Sequence, residues 1–371
     1  MEKLYCIWLS TIRYLKYETF RKLYEFFGSF KAVYEADKEQ LLNCTKLTPM
    51  ELQGLLDKDT RHADEILYQC DKTDIGIISC FDENYPKLLL NIYNPPKVLY
   101  IKGNVRELNK LVTINVVGSR LPTTYGNKMG FKFGYELASE GLTVVSGMAR
   151  GIDSQSHRGA LKAGGKTVAV LGNGCNVVYP PENAPLMEII LNNGCVISEY
   201  PPYDGVTKYN FPHRNRIMSG MSLGTLVVEG ARRSGTLITS RLALEQGKSV
   251  YCIPGNIDNP NSFVTNELIK DGGIIVTSPA DIIVDLTASY PELMLEKILK
   301  DEQKVAESNK LANVTEEQRQ ILYFLNKNTP VHIDEICKLT GKSIGAVTQN
   351  LMMLEISKLV VSMPGRYYIL K

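Results

Sequence analysis

The chain has 371 residues, with 42 lysines and arginines against 40 acidic residues and a formal net charge of +2. At about 150 residues per domain, this length predicts two or three domains. The composition, 44% hydrophobic and 22% charged, excludes a fully disordered or collagen-like chain. The near balance of charge gives no overall sign of a nucleic-acid-binding protein, but it does not exclude one.

The sequence predicts no membrane partner, since it has no apolar run of about 18 residues or more. Charges interrupt the first apolar stretch and no small-residue cleavage site follows it, so a signal peptide is a poor interpretation. Eight cysteines form no Cys-x-x-Cys pair. We therefore expect a cytoplasmic protein with reduced, mostly buried thiols.

Residues 1–70 predict a small helical domain. Thr48 and Pro49 are residue types expected at the N-cap and the first position of a helix, and Gly28 is a plausible helix stop. Apolar residues at helical spacing fill the segments 4–13, 19–28 and 29–36.

Residues 71–282 alternate between strand-type apolar runs and amphipathic helical segments. This pattern predicts an α/β domain, an extended Rossmann-like doubly wound parallel sheet covered on both faces. Such sheets bind ligands at the carboxyl ends of their strands. The strand-type runs lie at 76–82, 97–103, 111–119, 142–148, 166–174, 195–201, 224–231, 249–255 and 273–279.

The last part of the chain predicts a linker followed by a winged-helix domain. Residues 283–313 are charged and irregular, as in a linker. Residues 314–371 predict three helices and a β-ribbon, the order of a winged-helix domain. Its third helix, 343–360, is not strongly basic, so we favour protein contact or weak duplex binding over sequence-specific reading.

Four loops after predicted strands combine glycine with serine, threonine or asparagine. Glycine lets a backbone approach a phosphate closely, and free amides at a helix start attract an anion. Parallel α/β proteins also need glycine in such turns, so one loop alone is ambiguous. Four loops at one sheet edge, three of them with an arginine, favour a phosphate site. They span 118–120, 146–153, 172–175 and 229–236.

No cofactor or metal is predicted. The sequence lacks a G-x-G-x-x-G turn after the first strand and a Walker motif. His157 and His213 are candidate general bases without a nucleophile motif nearby. Asp153 is predicted to cap a helix, and Glu199 is equally a site residue or a turn residue.

The strongest local bias is in charge. Between residues 208 and 241 six cations face a single carboxylate, Glu229, and Phe211 lies among them. Cations follow the phosphates of a nucleic acid, and a ring offers a base a surface to stack on. The alternative is a packed turn at 210–212 with ordinary surface arginines. The cations are Lys208, Arg214, Arg216, Arg232, Arg233 and Arg241.

These blocks resemble the DprA family, the DNA processing proteins also called Smf. The resemblance covers about residues 80 to 275, and the flanking helical and winged-helix domains fit members that carry both. One departure is at Phe263 and Val264, where the family often has small residues. The matching blocks are GSR at 118–120, SGMARGID at 146–153, NFPHRNRIMS at 210–219, EGARRSGTLITSRLALEQG at 229–247 and IPGN at 253–256.

The resemblance implies a non-enzymatic protein that binds single-stranded DNA entering a bacterium during natural transformation. Family members shield this DNA and help to load the RecA recombinase on it, displacing or working with single-strand binding protein, and they dimerise through the Rossmann-like core. Arg120 is expected to hold a phosphate, and Lys208 and Phe211 to bind backbone and base. The predicted DNA-binding residues are Gly118, Ser119, Arg120, Ser146, Gly147, Arg150, Lys208, Phe211, Arg214, Arg216, Gly235 and Thr236.

Two alternatives remain open from the sequence. A phosphoribohydrolase of the lonely-guy type has a related fold and a P-G-G-x-G-T-x-x-E motif, but here Thr239 stands where the acidic residue belongs. A transcription regulator led by the winged helix is the other.

Overall fold

The computed structural model describes residues 2–105, 107–232, 234–292, 294, 314–326, 329–357 and 359–370. It divides into two compact units, 1–291 and 292–371. Arg233 and most of the predicted linker, residues 295–313, lie outside the described residues.

Six helices form the N-terminal part of the first unit, and they share one hydrophobic core with the sheet. Local signals explain their ends. Gly28 follows α2 in the left-handed region, at φ 76°, and Thr48 caps α5 with a reciprocal hydrogen bond to Glu51. Sequence analysis did not identify α4 or α6 as separate helices. The helices are α1 (Glu2–Thr11), α2 (Tyr17–Phe27), α3 (Phe30–Glu35), α4 (Lys38–Cys44), α5 (Pro49–Leu56) and α6 (Arg61–Lys72).

A nine-stranded, mostly parallel sheet forms the rest of the first unit, which confirms the predicted α/β fold class. Its order is β1-β2-β6-β5-β4-β3-β7-β8-β9. The strands are β1 (Gly76–Ser79), β2 (Val98–Gly103), β3 (Thr113–Val117), β4 (Thr143–Ser146), β5 (Thr167–Leu171), β6 (Cys195–Ser198), β7 (Gly224–Val227), β8 (Ser249–Cys252) and β9 (Ile274–Ile275).

The edge strand β1 and its neighbour β2 depart from the predicted parallel arrangement. β1 pairs antiparallel with β2, and β2 pairs antiparallel with β6. The connection between β1 and β2 holds a short 3-10 turn at Lys87–Asn91 and no α-helix. Parallel neighbours are usually joined by a helix that crosses the sheet, so this connection favours an antiparallel pair.

The strand order changes direction at β3. The chain builds β3 to β6 towards one edge and then returns to place β7 on the other side of β3. Ligands of open α/β sheets bind outside the carboxyl ends of the strands at such a switch point. The fold therefore positions the loops after β3 and β7 beside each other.

Seven helices accompany the sheet. α7 and α8 approach closely because both carry glycine at the crossing: a Cβ at Gly159 would lie 2.2 Å from the Phe131 carbonyl oxygen. α13 corrects the linker prediction, because a capping box between Ser278 and Asp281 starts a helix that runs seven residues into it. The helices are α7 (Thr124–Ser139), α8 (Ile152–Lys162), α9 (Ala184–Asn193), α10 (Asn210–Gly220), α11 (Thr236–Glu245), α12 (Phe263–Lys270) and α13 (Pro279–Ser289).

The second unit is the winged-helix domain that the sequence predicts. It has its own core, which includes Ile321, Ile336 and Leu351. A short strand not foreseen from the sequence, β10, completes a three-stranded sheet of order β10-β12-β11. The elements are α14 (Glu316–Phe324), β10 (Val331–His332), α15 (Ile333–Thr340), α16 (Ile344–Ile356), β11 (Val360–Met363) and β12 (Tyr367–Leu370).

Among the residues described, no helix has the length and apolar character needed to cross a membrane.

Candidate nucleic-acid interface

A pocket of about 490 Å³ lies at the switch point of the sheet. Its walls come from the loops after β3, β4 and β7, from α10 and the start of α11, and from Asn261 in the loop before α12. Predicted site residues in its lining are Gly118, Ser119, Arg120, Arg214, Gly235 and Thr236. Three of the four glycine-rich loops predicted to meet therefore contribute to one pocket.

Arg214 holds the floor of this pocket together. Its side chain comes from α10 and is buried, with 3% of the residue exposed. The guanidinium donates hydrogen bonds to the carbonyl oxygens of Gly147, at 2.9 Å, and of Val170. Burial lowers the pKa of Arg214 to about 10, and the charge of Asp153 opposes this shift. Arg214 thus braces the ends of two neighbouring strands.

The loop after β4 is shaped from inside. The Ser146 hydroxyl donates to the Val116 carbonyl oxygen at 2.7 Å, and the Asp153 carboxylate accepts from the amides of Gly147 and Ala149 at 3.2 and 3.3 Å. Asp153 lies in the first turn of α8, and its side chain fixes the backbone of this loop. A Cβ at Gly147 would lie 2.4 Å from the Arg214 guanidinium, so only glycine leaves room for it. The Gly147 amide already has a partner before any phosphate binds.

The start of α11 offers backbone amides to the pocket. Hydrogen bonds in the first turn of α11 engage the amides of residues 237–239. The amides of Gly235 and Thr236 are left without a partner among the described residues. Ser119 is 9% exposed, and its hydroxyl accepts from the Leu121 amide at 3.1 Å. Backbone amides at a helix start are well suited to a phosphate.

An arginine and an aromatic ring meet at the rim. The Arg120 guanidinium lies 5.6 Å from the centroid of the Phe211 ring, although 91 residues separate them. On another side the Phe211 ring packs against Tyr179, at a centroid distance of 5.4 Å. Arg120 is exposed and Phe211 is half-buried. Lys208, three residues before Phe211, is exposed on the approach to α10.

Arg150 and Arg216 lie outside the pocket lining. Arg150 is exposed and pairs with Glu182. Arg216 is buried, and its Nη2 donates to Glu199 at 2.5 Å. His213 lies 3.5 Å from the same Glu199 oxygen. Glu199, which the sequence leaves open between two roles, is here the partner of a buried arginine.

The structure shows which of the charged residues between 208 and 241 are exposed to solvent. Arg214 and Arg216 face the interior, while Lys208, Arg232 and Arg241 are exposed. Glu229, the single carboxylate between residues 208 and 241, is buried as well. Its side chain accepts from the Thr123 amide at 2.9 Å, at the start of α7. The exposed cations described in this segment therefore have no exposed carboxylate from the same segment beside them. They are fewer than the six cations counted from the sequence, because Arg214 and Arg216 are buried.

The pocket holds little that suggests catalysis. Asp153 is the carboxylate among its lining residues, and it is committed to two backbone amides. Thr239 also lines the pocket and is 1% exposed. His157 is completely buried in α8, away from the lining. No group of metal-ligating side chains occurs in the part of the chain that the structure describes.

Sequence reasoning missed two polar residues of the lining, Asn215 and Asn261. The Asn261 side chain donates to the Leu121 carbonyl oxygen at 2.9 Å and so ties the loop before α12 to the loop after β3. Asn215 lies between two arginines of the NFPHRNRIMS block, and this position could have indicated that it belongs to the site.

Two family profiles match the chain. The profile described as DNA recombination-mediator protein A matches residues 76–287, and the DprA winged helix domain matches residues 305–366. The chain belongs to the DprA family. The expected resemblance is thereby confirmed, and with it the description of this protein as a DNA recombination mediator.

Relatives and solved structures agree with this assignment. Protein Smf of Escherichia coli is 37% identical over 88% of this chain and 86% of its own length. DNA processing protein DprA of Streptococcus pneumoniae is 42% identical over 56% of this chain and 73% of its own.

Two structures of the family superpose on the chain. A Streptococcus pneumoniae DprA structure matches with a TM-score of 0.66 at 33% identity, covering 76% of this chain and 97% of that one. DNA processing protein A of Helicobacter pylori, described for its unique single-stranded DNA binding mode, matches with a TM-score of 0.53 at 27% identity. It covers 58% of this chain and 97% of that one.

Proposed function

We propose that this DprA-family protein binds single-stranded DNA taken up by a bacterium, protects it, and helps to load RecA on it during natural transformation. The observation that carries the proposal is the arrangement at the switch-point pocket. An exposed arginine lies over a half-buried aromatic ring. Beside them, at the start of α11, the amides of Gly235 and Thr236 have no partner among the described residues.

A single strand matches this arrangement better than a duplex does. Its phosphates reach the exposed cations Arg120 and Lys208, and its unpaired bases reach the face of Phe211. A duplex keeps its bases stacked inside, where a ring at the rim of a pocket does not meet them. We place this activity in the cytoplasm, where RecA acts, and the homodimer through the Rossmann-like core stays a prediction.

Three single variants test the site by fluorescence anisotropy with a labelled oligo-dT over a range of salt concentrations. Arg120→Ala and Lys208→Ala should each weaken binding and reduce the slope of log K against log salt by about 0.7, the value for one phosphate contact on a single strand. Phe211→Ala should weaken binding by about 1–3 kcal/mol with an unchanged slope, because stacking releases no counterion.

Arg21→Ala is the matched control. Arg21 is exposed on α2 and pairs with Glu18 and Glu25, remote in sequence from the pocket. It should leave both the affinity and the slope unaltered. Unchanged binding in all three site variants would refute this assignment of the DNA-binding residues.

The recombinase-loading part of the proposal has its own test. RecA hydrolyses ATP when it assembles on single-stranded DNA, and DNA already coated by single-strand binding protein delays that assembly. The wild-type protein should shorten the delay, and Arg120→Ala should not, since loading depends on holding the strand. A wild-type protein that binds DNA but leaves the delay unaltered would restrict the function to protection.

A further inference from the structure

A second pocket, of about 380 Å³, lies between the N-terminal helices and the loop that follows β6. Its volume is in the range of small-molecule sites, about 300–1,000 Å³. The DNA-binding residues predicted above do not line it. Its lining includes His62, Lys97, Tyr100, Glu199, Pro201 and Asp204.

Lys97 supplies an uncommitted cation to this pocket. Among the described residues its Nζ donates to one acceptor, the Ser10 carbonyl oxygen, at the long distance of 3.4 Å. An ammonium group has three N–H donors, so two are open to a ligand. Burial lowers the pKa of Lys97 to about 8, while the charge of Glu199 acts in the opposite direction. The group is therefore largely desolvated and still mostly charged at pH 7.

Glu199 supplies an uncommitted acceptor. All its contacts among the described residues use one oxygen, Oε2, which binds Arg216 Nη2 at 2.5 Å and lies 3.5 Å from His213 Nδ1. Oε1 accepts no hydrogen bond from the residues described. Beside this carboxylate, Arg216 Nη1 is buried without a partner, in a side chain that is 7% exposed.

The lining offers one cation, Lys97, beside two carboxylates, Glu199 and Asp204. It therefore selects a ligand that both accepts and donates hydrogen bonds and carries no negative charge at the bound edge. A bare phosphate is disfavoured because it would meet Glu199. A guanine base meets the requirement: O6 and N7 accept from cations, and N1–H and the N2 amino group donate to a carboxylate. Thymine has a single N–H, so it satisfies the pair less completely. Pro201, which is partly exposed, adds apolar surface for a planar ring.

We propose that this second pocket binds a guanine base. One source is the bound strand itself, a reading that rests on the proposed function. The segment from Glu199 runs through Asp204 to Lys208, so the pocket and the DNA approach share one loop. The other source is a free guanine nucleotide, which presents the same base edge.

The experiment compares two labelled strands of about 20 nucleotides at pH 7, an oligo-dT and the same strand with spaced dT residues replaced by dG. The wild-type protein should bind the dG-containing strand roughly tenfold more tightly, as one well-formed base contact provides. Lys97→Met should lose this preference and keep the oligo-dT affinity. Calorimetry with GMP alone, without DNA, forms the second arm.

Lys102→Met is the matched control, since Lys102 lies on β2, the strand that begins directly after Lys97, but donates to Asn176 at 2.7 Å, outside the pocket lining. It should keep the preference, and Arg120→Ala should weaken both strands equally. A dG preference abolished by Lys97→Met supports the strand as source. GMP binding abolished by Lys97→Met, without a dG preference, supports the free nucleotide.

Two results overturn the proposal. One is the absence of both the dG preference and GMP binding in the wild-type protein, and the other is a preference that persists in Lys97→Met. If instead the proposed function is wrong, neither strand binds. Calorimetry with GMP still tests the second pocket in that case.

Discussion

Replacing Arg214 with methionine is expected to destabilise the first unit by about 3–5 kcal/mol, the order of the cost of leaving buried polar and charged groups uncompensated. The substitution takes the donor away from the carbonyl oxygens of Gly147 and Val170. It also leaves the buried Asp153 without the nearby positive charge that favours its ionised form. Methionine fills similar space, so the loss reports on polar interactions rather than on a cavity. Urea unfolding followed by circular dichroism measures the effect.

The double variant Arg214→Met with Asp153→Asn separates charge from shape. Asparagine still accepts from the Gly147 and Ala149 amides through Oδ1, but it carries no buried charge. We expect the double variant to recover about 1–3 kcal/mol relative to the sum of the single variants, as contacting residues do. Additive effects of the two substitutions would mean that the buried charges do not interact.

His157 is expected to make this protein less stable as the pH falls below 6.5. Its Nδ1 lies 2.6 Å from the Thr167 hydroxyl, which itself donates to the Val144 carbonyl oxygen. Nδ1 therefore carries the proton, and Nε2 is a buried acceptor with no partner. Protonating Nε2 would create a buried, unpaired charge. Burial, assisted by the charge of Arg214, accordingly lowers the pKa of His157 to about 3.

The sign follows from linkage. The unfolded chain takes up a proton at this histidine near pH 6.5, whereas the folded chain does so only near pH 3. The stability contributed by neutral His157 is complete above pH 6.5 and is lost progressively between 6.5 and 3. At pH 4.5 the loss is about 2–3 kcal/mol relative to pH 7.

The variant His157→Asn isolates this contribution, because its amide can replace the Nδ1–H bond to Thr167 but does not titrate. Free energies of unfolding from urea titrations at several pH values should decline less steeply for the variant than for the wild type. The difference in slope should reach about 1.4 kcal/mol per pH unit below pH 6. His62→Asn, an exposed site, is the control and should keep the wild-type slope. Parallel curves for wild type and His157→Asn would exclude a buried neutral histidine.

Sequence patterns identified nearly every strand of the sheet, and they located the glycine-rich loops that line the switch-point pocket. These features are local: strands appear as apolar runs, helix starts as capping residues, and tight turns as glycine. The resemblance to the family led us to expect that Arg120 and Phe211 contact DNA. Strands β1 and β2 were located correctly, but the sequence did not reveal that the connection between them has no crossing helix and that the pair is antiparallel.

The sequence by itself determined the fold class, the winged-helix domain, the family and the loops that form the candidate site. Only the tertiary structure decided which charges face solvent. The near-balanced charge of +2 and the six cations between residues 208 and 241 are counts along the chain. Whether an arginine binds a ligand or braces the core depends on carbonyl oxygens 44 and 67 residues away, as for Arg214. Periodicity carries no information about such distant partners.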